Sequence, residues 1–138
     1  KDNQKQIFMD MVKAMQLSYS YKPVFLLSFL NYMNETGSAK LEDVAKDFAA
    51  YYENRKERGL PPEKKQCIFT KGDYTEKEVE QLILRMPFKR FEDMHAMHHA
   101  KQLGIIEFYK SLAKQLTEDD YETIRRSSEE ALKKYFGE

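Results

Sequence analysis

With one cysteine, Cys67, in 138 residues, the chain cannot form an internal disulfide. That suits a reducing compartment and makes the cytoplasm the expected location. No apolar run reaches the roughly 20 residues that cross a bilayer, so no membrane partner is expected. No stretch has the basic start, apolar middle and small-residue end of a signal peptide. Net charge is missing as well: 23 Lys and Arg cancel 23 Asp and Glu. No global field therefore draws the chain onto nucleic acid, and any such affinity must come from a local patch. The sequence carries no G-x-S-x-G elbow, no P-loop, no internal repeat and no low-complexity segment.

What is present is a globular composition, 41% apolar and 33% charged, with length for one domain and a real core. The sequence begins at Lys1 rather than methionine and is expected to be a piece of a longer protein. The expected division is an N-terminal helix over 1–20, a winged-helix-like core over 21–108 and C-terminal helices over 109–138. The predicted fold is mainly α, a helix-turn-helix or winged-helix core with extra helices and a small β-wing.

The core expectation rests on residues 21–58. Val24, Phe25, Leu26, Leu27, Phe29, Leu30, Tyr32 and Met33 make a helix apolar nearly all round, which other elements must enclose. Pro23 suits its first turn, where a missing N–H costs nothing. Gly37 can turn the chain, Ser38–Lys40 is long enough for a short strand, and Leu41, Val44, Ala45, Phe48, Tyr51 and Tyr52 form the stripe of the next helix. Before this unit, Ile7, Phe8, Met11, Val12 and Met15 predict an amphipathic helix from about Asp2 to Leu17.

Beyond Gly59 and the prolines at 61 and 62, a loop is expected from Lys64 to Asp73, with an extended piece at Cys67–Thr70. Cys67, beside Ile68 and Phe69, reads as a buried thiol. Thr75 and Glu78 have capping-box spacing and start a helix that Pro87 ends or kinks. Helical spacing then continues through Phe88, Phe91, Met94, His95 and His98 up to Leu103. Ile105–Phe108 is the best strand candidate and can pair with Ser38–Lys40. A short helix follows over Tyr109–Leu116, and Thr117 with Asp120 caps a last helix to the end.

The local basic patches are Arg55, Lys56, Arg58, Lys64, Lys65 and Lys71, flanked by Tyr51, Tyr52, Phe69 and Tyr74, and a second group of Arg85, Lys89, Arg90 and Lys101. Cations interleaved with aromatics suit a phosphate backbone and stacked bases. His95, His98 and His99 would share a face if helical, a spacing able to hold zinc, with Glu92 or Asp93 as an oxygen ligand. The metalloprotease pattern, however, needs glutamate where Ala96 stands. Ser28 sits in the core helix, and Asp119 and Asp120 serve a helix start. No cofactor and no enzymatic activity are expected of this segment.

The runs Tyr21-Lys22-Pro23-Val24-Phe25-Leu26-Leu27, Gly37-Ser38-Ala39-Lys40-Leu41, Pro87-Phe88-x-x-Phe91-Glu92-Asp93-Met94 and Leu103-Gly104-Ile105-Ile106-Glu107-Phe108 resemble the winged-helix-type domains appended to bacterial restriction, helicase and DNA-defence proteins. The resemblance spans most of residues 21–136. It implies a non-catalytic accessory module, facing DNA or docked on the rest of its own longer chain. The neutral charge and the long loop after Gly59 depart from a simple transcriptional regulator. The alternative is a protein-interaction or homodimerisation module using exposed aromatics and methionines. A small metal-dependent hydrolase centred on the histidines is the third reading.

Overall fold

The computed structural model describes residues 3–138; the expected start of the first helix at Asp2 lies outside them. In chain order the elements are α1 (Gln4–Lys13), α2 (Tyr21–Tyr32), β1 (Ser38–Lys40), α3 (Leu41–Glu57), α4 (Ile68–Lys71), α5 (Glu76–Arg85), α6 (Pro87–Asp93), β2 (Met97–Ala100), a 3-10 turn (Lys101–Leu103), β3 (Ile105–Phe108), α7 (Lys110–Ala113) and α8 (Glu118–Phe136). The fold is mainly α-helical with a three-stranded antiparallel sheet in the order β1-β3-β2, a winged-helix-like arrangement.

The apolar helix α2 lies inside. Phe25 and Phe29 are fully enclosed, and α3, α6, α8 and β1 all pack on α2. Phe25 meets Phe88 and Phe91 at centroid distances of 6.3 and 5.8 Å, and Phe29 meets Phe108 edge-on at 5.2 Å. Phe8 of α1 closes the group against Phe91 and Phe108. Toward its far end α2 turns partly outward: Leu27 and Leu30 are half-buried and Tyr32 is exposed.

The turn into β1 is set by Asn34, whose Oδ1 accepts from the backbone N–H of Thr36 and of Ser38. Gly37 follows at φ 82°, and a Cβ there would sit 3.4 Å from the Phe108 ring. β1 pairs with β3 as expected, Ala39 opposite Ile106. Both capping boxes are in place, Thr75 with Glu78 on α5 and Thr117 with Asp120 on α8. Pro87 occupies the first turn of α6, so α5 and α6 are one helical path broken at Met86.

Three local expectations are corrected. The helix expected to run from Phe88 to Leu103 stops at Asp93; His95 takes a positive φ of 58° and the chain returns as β2. The reason is tertiary: β3 has two edges, β1 satisfies only one, and Met97–Ala100 supplies the partner for the other. Cys67–Thr70 is not extended, since a helical turn occupies Ile68–Lys71 with Cys67 half-buried at its start. The first helix ends at Lys13, short of Leu17.

Removing a ring from the central group leaves a cavity that rigid neighbours on several elements cannot close. Phe29→Ala is expected to lower unfolding stability by about 3–5 kcal/mol in urea titration. A charge at half-buried Leu30 should cost less; equal losses at the two sites would contradict the packing described.

Candidate nucleic-acid interface

The basic stretch after α3 does not form one open surface. Arg55 is 3% exposed: its Nε donates to the Pro61 carbonyl at 2.8 Å, Nη1 reaches Glu138 at 3.0 Å, and the guanidinium lies 3.5 Å above the Phe136 ring. Lys56 bonds Glu53 and the Phe69 carbonyl, both at 3.3 Å. Lys64 donates to the Tyr135 carbonyl at 3.0 Å and sits over that ring, and Lys65 sits over Tyr19. Arg58 and Lys71 alone of this group are exposed with no side-chain partner among the described residues. Arg55, Lys56 and Lys64 thus pin the loop and the end of α8 to α3. Of the flanking aromatics, Tyr52 and Phe69 are fully buried and stacked at 4.3 Å, and half-buried Tyr51 and Tyr74 pack against the core.

The anchor of this region was missed in the sequence because nothing local marks it. Glu63, 3% exposed, accepts from the Ser20 N–H at 2.8 Å, the Ser20 hydroxyl at 2.6 Å and the Tyr135 hydroxyl at 2.5 Å. Ser20 directly precedes α2 and, instead of capping it, gives its one proton to Glu63, so Tyr52 donates to Ser20 Oγ at 2.8 Å. A carboxylate without its own cation is tolerated there because several donors surround it. Burial pushes the Tyr52 hydroxyl well above its ordinary ionisation range; burial, then the bond to Glu63, does the same for Tyr135. For Tyr21 burial leads and contact with Cys67 adds to it.

The second basic group is arranged differently. Arg85 ends α5, Lys89 and Arg90 lie on α6, and Lys101 opens the turn between β2 and β3; all are exposed. Lys89 pairs with Asp93 at 2.9 Å, a solvent-facing contact of little strength that another anion can replace. Lys22, at the start of α2, is pulled below its ordinary range by partial burial and then by the charge of Arg90. The charge of Arg90 thus acts on Lys22, and like charges that repel one another favour an incoming anion. Lys22 is a member of this surface that the sequence alone did not suggest. The first turn of α5 carries Glu76 and Glu78, so the cationic end of the α5–α6 path is its break and α6.

The histidines do not converge as a helical face would have them. His98 and His99 are consecutive on β2 and point to opposite sides of the sheet. His98 meets Glu107 at 3.1 Å and lies beside Tyr109, whereas His99 meets Phe88. His95 occupies the left-handed turn before the strand. Among the described residues no group of three or more His, Cys, Asp or Glu is placed to hold a metal ion.

Fold and surface together define a winged-helix-like helical module with a small cationic patch around α6 and the wing. No protein family, curated protein or solved structure matches this chain. No helix of the described residues is long and apolar enough to cross a membrane.

An unfolded tyrosine ionises near about pH 10. Tyr21, Tyr52 and Tyr135 stay neutral above that value when folded, so their contribution to stability is complete below it and is lost as pH climbs from there through their raised folded values. Alkaline titration is expected to show the last part of the tyrosinate absorbance appearing together with loss of helical circular dichroism. Full tyrosine ionisation with the helices intact would contradict the buried network.

Proposed function

We propose that this chain is a non-catalytic, DNA-associating accessory domain of a larger bacterial DNA-processing or defence protein. The observation that supports the reading best is the position of the exposed cations within the winged-helix order, of which Lys89 alone is paired, in a solvent-facing contact with Asp93. In that order the helix before the wing enters a groove and the wing lies on the neighbouring backbone. Here α6 immediately precedes β2; Arg85, Lys89, Arg90 and Lys101 are distributed over α6, its approach and the wing turn, and Lys22 adds a charge from the start of α2.

With a neutral chain, binding must be local and modest, and each phosphate contact releases counterions. The patch offers lysine and arginine charges, which suit phosphate oxygens and so favour tracking of the backbone. The interaction-module alternative draws less support from the surface, where the exposed large apolar side chains of the described residues are Ile7, Tyr32 and Leu103. They stand on three different elements, α1, α2 and the wing turn.

The test is fluorescence-anisotropy titration of a short DNA duplex at several salt concentrations. Arg85→Glu, Arg90→Glu and Lys101→Glu combined should abolish saturable binding, and each single reversal should lower the salt slope by about 1. Lys65→Glu, outside the patch, should leave binding unchanged. Affinity unaffected by the triple reversal would end the proposal.

A further inference from the structure

A groove of about 640 Å³ lies between the segment after α1 and the outer face of α8, within the range of small-molecule sites. Val12, Met15, Leu17 and Ala131 contribute its apolar wall, and Lys13, Lys64 and Lys134 its cations, against a single carboxylate, Glu130. Glu130 and Lys134 are one helical turn apart yet form no ion pair, and neither Lys13 nor Lys134 is paired among the described residues. Lys64 is held in place by the ring and carbonyl of Tyr135, so its position does not have to be acquired on binding.

The segment that forms one wall breaks a local rule. Ala14, Met15, Gln16 and Leu17 are all strong helix formers with no glycine or proline among them, yet the helix ends at Lys13. The backbone N–H groups of Met15, Gln16 and Leu17 have no partner among the described residues. Local sequence and structure disagree most often where a site needs the odd geometry. The disagreement falls at this groove, whose wall is lined by Val12 to Leu17.

From these features we infer that the groove binds an amphiphilic organic anion with a single head group: one phosphate or carboxylate on a short apolar body. The lysines and the unpaired N–H groups receive the anion, and the wall of Val12, Met15, Leu17 and Ala131 receives the apolar part. Lys64, which contributes nothing to the α6 surface, has its role here. The site is independent of the nucleic-acid reading and stands or falls separately from it.

The experiment is a backbone amide NMR titration of the protein with octyl phosphate, octanoate and inorganic phosphate in turn. Octyl phosphate, octanoate or both should shift residues 12–17 and 127–135 saturably, and which of them does so identifies the head group. Inorganic phosphate should bind about tenfold more weakly or not at all. Lys13→Gln with Lys134→Gln should weaken the amphiphile about tenfold, and Ala131→Phe, which fills the groove from an exposed helix face, should block it. Arg90→Glu should leave it unchanged. Absence of saturable shifts with both amphiphiles, equal affinity for inorganic phosphate, or shifts that survive the lysine and Ala131 variants would each overturn the assignment.

Discussion

Phe25 and Phe29 stand one turn apart on α2, and their rings touch Phe88 and Phe91 from α6 and Phe108 from β3. Phe8 joins the same group from α1. Elements far apart in sequence are therefore held by edge-to-face and offset aromatic contacts around one rod, and the sheet is held against the helices by Phe108 and Ile106 pointing inward. Because β3 is the middle strand, fixing Phe108 fixes both its neighbours. The wing and the start of α3 take their positions from that constraint.

At the other end of α2 the packing changes character. Tyr21, Phe48, Tyr52 and Phe69 form a second aromatic group, and around it buried polar atoms carry the connections. Glu63 ties the start of α2 to the end of α8, while Arg55 ties α3 to Pro61, Phe136 and Glu138. Such contacts depend on every donor and acceptor being present, since a buried carboxylate or guanidinium left alone is costly. The loop after α3 is thus not a mobile basic arm. Its charges are largely consumed in fastening it, which shifts the cationic surface available to a polyanion to α6 and the wing.

This division explains which exposed cations of the candidate site were legible. Arg85, Lys89, Arg90 and Lys101 could be named from sequence because exposed cations beside a proline-broken helix need no partner to be understood. Arg55 and Lys64 have the same residue types but a different fate, decided by Phe136, Glu138 and Tyr135, which lie more than 70 residues away in the chain. Lys22 was invisible for the same reason, as its significance comes from Arg90. The histidines were misplaced because Met97–Ala100 has no strand signal of its own; it is a strand only because β3 offers a free edge.

By itself the sequence determined what depends on near neighbours: the all-round apolar α2, the turn at Gly37, the capping boxes of α5 and α8, the break at Pro87, and the β-branched strand at Ile105–Phe108. These follow from side-chain periodicity, backbone freedom and local hydrogen bonds, all of which act over a few residues. Tertiary structure alone decided the third strand, the burial of Glu63 and Arg55, and hence which cations face outward. Each of those is settled by a partner that the chain brings close only when it closes on itself, and no local pattern encodes where that partner will be.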